Sequence, residues 1–247
     1  MRIALLDSDI IAYRAAVLNE SAPLTDAIDL AKRMTDAWTN MAGCDGYVSC
    51  FTTGPSFRAE AWPPYKAKRR EKERPQHLSD ILKEMKGWNA CWHTGYEADD
   101  VLGILATYPQ TVDEVVIVSV DKDLDQIPGQ HCNPDKETIY TVSDDDADMY
   151  RWMQVLSGDS TDNYPGVPFV GTKKAQRILE FAEAGCREQV VSAFFESKEL
   201  GHTFFPMVVC ATLLTYKKGL TCEQSLQDST EAGTLRDFLQ SLKQYSM

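Results

Sequence analysis

The sequence predicts an α/β fold: a mostly parallel central sheet flanked by helices, followed by a helical C-terminal part. Three observations lead there. Short apolar runs bounded by turn residues alternate with longer segments of helical spacing as far as residue 142. The strongest run, residues 114–120 (EVVIVSV), is apolar almost without a break, as suits a strand covered on both faces. From about residue 143 onward only helical patterns remain.

In chain order, residues 2–7 (RIALLD) read as a short buried strand that ends in a carboxylate. Over 24–41, Leu24, Ala27, Ile28, Ala31, Met34, Trp38 and Met41 recur three or four apart and predict a helix. Residues 46–52 form a second strand. The segment 54–76 differs from the rest: Pro55, Pro63, Pro64 and Pro75 interrupt a basic run, which predicts an exposed, mobile insertion. A helix is expected at about 77–86, a strand at 89–93 and a helix at 98–108 stopped by Pro109. Weaker strands are expected at 130–133 and 137–142, then helices at 145–156, 171–184, 187–199, 203–217 and 233–244. The expected division is an α/β core over 1–143 and a helical part over 144–247.

Hydrophobic residues make up 43% of the 247 and charged residues 25%, which rules out wholesale disorder and a fibre. No apolar run reaches the roughly 18 residues of a membrane span, so a membrane partner is not expected. The N-terminus turns acidic at Asp7, too early for a signal peptide. Cys44, Cys50, Cys91, Cys132, Cys186, Cys210 and Cys222 are scattered and odd in number, which points to a reducing, cytoplasmic compartment. The four histidines are too far apart for a helical ligand pair.

The net charge of −12 argues against a polyanionic partner until its distribution is seen. From Arg58 to Arg74 there are seven basic and three acidic residues, a net of +4. From Glu97 to Asp162 there are sixteen acidic and three basic, a net of −13. An acidic cluster that holds divalent cations can still face a polyanion, because the cations reverse its local sign.

Carboxylates gather at Asp7-Ser8-Asp9, at Glu97-Ala98-Asp99-Asp100, at Asp121-Lys122-Asp123 and within Gly158–Asn163. The first and third lie at carboxyl ends of expected strands, the edge where parallel α/β sheets place their functional crevice. Asp121 and Asp123, two apart on extended chain, point the same way. Asp159 and Asp162, three apart, share a face if their segment makes a helical turn. Glu97 and Asp99 converge only if Glu97 precedes its helix, at the cap. Hard oxygen donors without His or Cys suit Mg²⁺ or Mn²⁺, and two such ions about 4 Å apart serve phosphoryl transfer. Each cluster also has a local reading: caps at 97–100, a turn at 121–125 and a solvated helix start at Asp144–Asp146 with Asp148.

In residues 158–175 (GDSTDNYPGVPFVGTKKA), Gly166 and Gly171 flank a tight loop between two helices, with the hairpin spanning about 146–184. Free amides at the start of the second helix bind phosphate, and Lys173, Lys174 and Arg177 supply charge for a nucleic-acid backbone.

LLDSDIIAYRA, SFRAEAWPPYKAKRR, GYEADDVLGILA, IVSVDKDLDQI and GDSTDNYPGVPFVGTKKA, in this order, resemble the 5′→3′ exonuclease and flap endonuclease family, most of all the bacteriophage 5′→3′ exonucleases and the 5′-nuclease domain of bacterial DNA polymerase I. The resemblance spans roughly residues 3–180. It implies a PIN-like 5′-nuclease core with a helical arch at about 54–86 and a helix–three-turn–helix in the C-terminal part. It also implies a two-metal nuclease that cuts a phosphodiester near a DNA 5′ end, flap or duplex junction, with RNA–DNA hybrid as a further substrate, in the cytoplasm (the host's, if phage-encoded). By this resemblance Asp7, Glu97, Asp99, Asp121, Asp123 and Asp162 are metal ligands, supported by Asp100 and Asp159. Tyr65-Lys66-Ala67-Lys68-Arg69 matches a Tyr-Lys-x-x-Arg element on the arch, so Lys66 and Arg69 are expected to act on the scissile phosphate. Arg58, Tyr65, Lys68 and Arg70 are expected along the nucleic acid, as are Gly166, Gly171, Lys173, Lys174 and Arg177, with a K⁺ ion often found at such a hairpin.

The family usually carries an aspartate at the end of the second strand, where this chain has Thr53. Asp9 is a candidate substitute. Two other readings stay open: a non-catalytic DNA-structure binder, favoured by Thr53, and a PIN-like ribonuclease, which shares the acidic crevice but lacks such a hairpin.

Overall fold

The computed structural model of the chain describes residues 1–70, 72–108, 114–183 and 185–216. The side chain of Arg70, the helix-stopping Pro109, Cys222 and the helix expected at 233–244 lie outside the described residues. The chain forms two compact units: one of Met1–Pro55 and Glu73–Val142 with the stretch starting at Leu214, the other of Ser56–Lys72 and Ser143–Leu213.

The first unit is built on six strands: β1 (Arg2–Asp7), β2 (Gly46–Thr53), β3 (Ala90–Thr94), β4 (Glu114–Val118), β5 (Gly129–Asn133) and β6 (Thr138–Val142), in the order β3-β2-β1-β4-β5-β6. All neighbours run parallel except β5 and β6. This is the expected mostly parallel sheet, and the two weak strands are its antiparallel edge. Ala4, Leu5 and Leu6 in β1 and Val116, Ile117 and Val118 in β4 are buried whichever face they point to, because helices cover both. The chain winds from β1 toward β3 on one side and from β4 toward β6 on the other, so its winding reverses between β1 and β4.

Helices α1 (Ser8–Leu18), α2 (Leu24–Met41), α5 (Leu78–Met85) and α6 (Ala98–Thr107) belong to this unit. The bounds of α2 match the apolar spacing in the sequence. Helix α1 was not anticipated, and its composition explains why. Its buried face is mostly alanine (Ala12, Ala15 and Ala16, beside Ile11), while Tyr13, Val17 and Leu18 are exposed. The small side chains allow close packing and erase the amphipathic contrast that marks a surface helix.

The second unit is helical: α3 (Arg58–Ala61), α4 (Ala67–Arg70), α7 (Asp144–Ser157), α8 (Thr172–Leu179), α9 (Arg187–Glu196) and α10 (Gly201–Ala211). Its apolar centre includes Tyr65, Leu156, Val170, Leu179, Phe195 and Met207. Trp62 and Tyr65, within the stretch 54–76 expected as an exposed insertion, therefore contribute to this centre. Ser143 caps α7, its Oγ accepting from the Asp146 N–H at 3.1 Å, worth about 1 kcal/mol. The acidic run is a helix start as expected, but Asp145 and Asp148 also pair with the buried Arg187 at 2.7 and 3.1 Å.

Gly158 ends α7 at φ +68, and Gly166 at φ +59 returns the chain against it. A Cβ on Gly166 would lie 2.3 Å from the Gly158 nitrogen and 2.6 Å from the Leu156 oxygen. Gly166→Ala is therefore expected to destabilise the chain by more than the roughly 1–2 kcal/mol of left-handed strain alone. The check is a urea midpoint, which should fall well below that of the unsubstituted chain.

Candidate active site

Carboxylates collect at the carboxyl edge of the sheet, where the winding reverses and α/β sheets open a crevice. Asp7 is the last residue of β1, 3% exposed. Leu6 is in register with Val118, which sets Ser119 level with Asp7. The Ser119 hydroxyl donates to Asp7 Oδ2 at 2.8 Å, and Ser119 Oγ accepts from the Asp121 N–H at 3.0 Å. Asp121 caps the 3₁₀ turn Lys122–Gln126, accepting from the Asp123 N–H at 2.9 Å. Asp123 is half-buried, with Lys122 Nζ at 3.3 Å.

Burial first, then the Asp9 carboxylate and to a smaller degree Asp121, push the Asp7 carboxyl from 3.8 up to about 7, against the Ser119 hydrogen bond. The buried Cys50 thiol, in register with Asp7, is driven well above its usual value by burial, then by Cys91, Asp7, Asp9 and Asp99. Asp9 and Asp121 thus act on Asp7, and the Cys50 thiol lies in the field of Asp7, Asp9 and Asp99. Asp9 Oδ2 accepts from the Thr52 N–H at 3.0 Å, which brings a carboxylate to the end of β2. Thr53, the last residue of β2, has its hydroxyl 3.5 Å from Lys86 Nζ.

Glu97 precedes α6 in extended conformation (φ −85, ψ 159), the placement that convergence with Asp99 requires. Asp100 lies in the first turn of α6. It is fully buried, and its two oxygens accept from the Glu97 N–H at 3.2 Å and the Leu214 N–H at 3.1 Å. It is half of a capping box and fastens the chain at Leu214. Among the described residues no three His, Cys, Asp or Glu side chains close around a point as a ready-made ion cage.

In the second unit, Asp162 is a hub. Its carboxylate accepts from Arg69 Nη2 at 2.6 Å and from the Tyr65 hydroxyl at 3.2 Å, with Lys66 Nζ at 3.5 Å. The backbone repeats the link: the Lys66 N–H donates to the Asp162 carbonyl at 2.8 Å and the Trp62 indole N–H to the Asn163 carbonyl at 3.0 Å. Residues 159–164 form a turn closed by an Asp159–Tyr164 bridge, so Asp159 and Asp162 do not share a helical face. Asp159 Oδ1 accepts the Thr161 and Asp162 N–H groups and shapes that turn.

Three expected nucleic-acid contacts are corrected. Arg58 is fully buried, bonded to the Thr212 carbonyl at 2.8 Å and stacked on Phe57, so it cannot reach a ligand from solvent. Tyr65 is 3% exposed and positions Asp162. Gly166 is buried against Gly158 and serves the loop itself. Lys68, Arg69, Lys173, Lys174 and Arg177 are exposed. Gly171 caps α8 with open space where a Cβ would stand. Ser119 was missed because only the register of β1 with β4 puts it beside Asp7.

Residues 2–154 match the family described as 5′-3′ exonuclease, N-terminal resolvase-like domain. The chain is 30% identical over 233 residues to an exodeoxyribonuclease of Enterobacteria phage T3, covering 86% of this chain and 74% of that one. It is 31% identical over 202 residues to the thermostable DNA polymerase I of Thermus caldophilus, covering 72% of this chain. The chain spans about a quarter of the length of that polymerase (24%). In fold it is similar to the bacteriophage T5 flap endonuclease, solved with DNA and metal ions, at a TM-score of 0.70 and 16% identity over 100% of this chain and 99% of that one. A zinc-bound T5 5′-exonuclease gives 0.71 at 17% identity, covering 100% of both chains. The chain belongs to the 5′-3′ exonuclease family.

The sign of the Asp7 shift gives a test. Its folded pKa is raised, so the stability linked to it is fully present below about pH 4 and is lost as pH rises through about 7. In metal-free buffer Asp7→Asn is expected to raise Tm at pH 8 by several degrees and to change it far less at pH 4. Equal changes at both pH values would contradict the burial-driven shift.

Proposed function

We propose that this protein is a metal-dependent 5′→3′ exonuclease and flap endonuclease that hydrolyses phosphodiesters near DNA 5′ ends, flaps or duplex junctions, with RNA–DNA hybrid a secondary substrate. The observation that carries the reading is the carboxylate group Asp7, Asp9, Asp99 and Asp121 at the sheet's reversal point, in a chain of this family. These carboxylates fit divalent cations. They are hard oxygen donors, and burial first, then the neighbouring Asp9 and Asp121 carboxylates, push the Asp7 carboxyl up to about 7, a cost that a cation relieves. Asp7, Glu97, Asp99, Asp121 and Asp123, with Asp9, would hold two Mg²⁺ or Mn²⁺ ions. Bound there, such ions would supply Lewis acidity to a water and to the reacting phosphate.

The rest falls to the chain's own side chains. Ser119 orients Asp7 and ties it to the Asp121 backbone. Lys66 and Arg69 are the cations for the scissile phosphate. Both rest on Asp162, and Arg69 is half-exposed, so that pair is worth only about 0–1 kcal/mol and a phosphate competes for it readily. Asp162 therefore stands as the holder of Lys66 and Arg69, and Asp159 as the shaper of its turn. Lys68, Lys173, Lys174 and Arg177, with the open Gly171 end of α8, bind the backbone of the strands, and a K⁺ ion at that loop belongs to the same reading. The carboxylate that Asp9 brings to the end of β2 favours catalysis over the binding-only alternative raised by Thr53.

The test is cleavage of a 5′-labelled flap and a blunt duplex with Mg²⁺, Mn²⁺ or EDTA. Short 5′ products are expected with either metal and none with EDTA. Lys66→Ala and Arg69→Ala should each lower kcat by about 10²–10³, the cost of removing one donor to developing oxyanion charge. Binding without turnover under every metal condition, restored by Thr53→Asp, would identify a disabled family member instead.

A further inference from the structure

Phe169 has no role in the reading above, and its conformation is costly twice over. Its side chain is 97% exposed, and its backbone sits at φ +63, a region that disfavours any residue with a Cβ. The neighbours explain how it is held there. Val167 and Val170 are both buried, and the Val170 N–H donates to the Val167 carbonyl at 3.1 Å. Two valines anchored in the apolar centre thus clamp a tight turn and drive the residue between them outward. The Lys174 amine lies 3.5 Å from the Phe169 carbonyl. Exposed Lys173, Lys174 and Arg177 follow on α8, and no acidic residue occurs from Gly166 to Leu179 in a chain of net charge −12.

We propose that Phe169 is a duplex-binding residue: a fixed aromatic wedge that packs on the sugar and base wall of a nucleic-acid duplex while the α8 cations hold its phosphates. The inference rests on the proposed role of α8 in gripping duplex backbone. The pairing of an aromatic face with local positive charge is what selects this ligand. Cations alone read phosphate, and an aromatic beside them adds a contact that any base or sugar can meet. A solvated loop would gain from glycine at this position. Phenylalanine there gives up that gain and displays a flat apolar face to water.

The two kinds of contact separate by salt. Phosphate contacts release counterions and set the slope of log affinity against log salt, whereas an apolar contact shifts affinity and leaves the slope alone. The experiment is anisotropy of a fluorescein-labelled duplex with a 5′ overhang, in EDTA, titrated with the full chain across a salt series. Phe169→Gly and Phe169→Ala are expected to weaken binding about tenfold with an unchanged slope, in line with the cost of uncovering one aromatic side chain. Phe169→Trp should bind as the unsubstituted chain does. Because glycine relieves the positive φ, Phe169→Gly should melt no lower, which separates lost contact from lost fold. Lys173→Ala and Lys174→Ala should weaken binding and flatten the slope. If they do so while Phe169→Gly binds normally, the wedge is overturned and the grip of α8 stands. If none of these variants changes binding, the role of α8 is wrong and the wedge falls with it.

Discussion

Like charges held together at the end of a buried strand are the constraint on which the first unit depends. Asp7 cannot retreat: β1 is hydrogen-bonded on both sides, and its register with β2 and β4 fixes where the carboxylate emerges. Asp9 and Asp121 approach the same place from the start of α1 and the end of β4. Neutral donors share part of the load. The Ser119 hydroxyl and the Thr52 and Asp123 amides each take part of the negative charge. Hydrogen bonds of this kind stabilise an anion modestly and leave its charge in place. Strand register and these bonds therefore fix where the carboxylates stand without removing their charge.

The second unit solves the opposite problem. Here Lys66 and Arg69 are collected, and Asp162 neutralises them from within the same unit. The link is divided between strong and weak parts. Backbone bonds from Lys66 to Asp162 and the indole of Trp62 to Asn163 hold the segment, while the half-exposed guanidinium contact adds little. Position is thus secured by the main chain and the buried Tyr65, and the charged tips remain exchangeable.

Much of this was legible in the sequence. Strands β1 and β4 announced themselves by short apolar runs, and α2 by its spacing. The five motifs marked the carboxylates and the hairpin. What was not legible depends on three-dimensional register or on burial of charge. Ser119 is an ordinary serine until β1 and β4 are aligned. Arg58 reads as a surface cation beside a basic run, but the helical unit closes over it and supplies the Thr212 carbonyl. Asp100 reads as one more carboxylate until its oxygens are found on backbone amides. Helix α1 hides because alanines carry its buried face. Local patterns reveal which residues are apolar or charged, whereas these roles follow from which distant backbone groups they meet.

The second unit takes its residues from two separated stretches, 56–72 and 143–213. This has a consequence for biosynthesis. When Trp62 and Tyr65 leave the ribosome, the helices that bury Tyr65 and the carbonyl that receives the Trp62 indole do not yet exist. At about 5–20 residues per second the wait lasts roughly 5–30 seconds. Over that interval a proline-rich segment with aromatic and basic side chains is without its partners, while the strands on either side of it, β2 and β3, can already pair. The segment that later carries Lys66 and Arg69 is thus fastened only after residues 143–213 have been made.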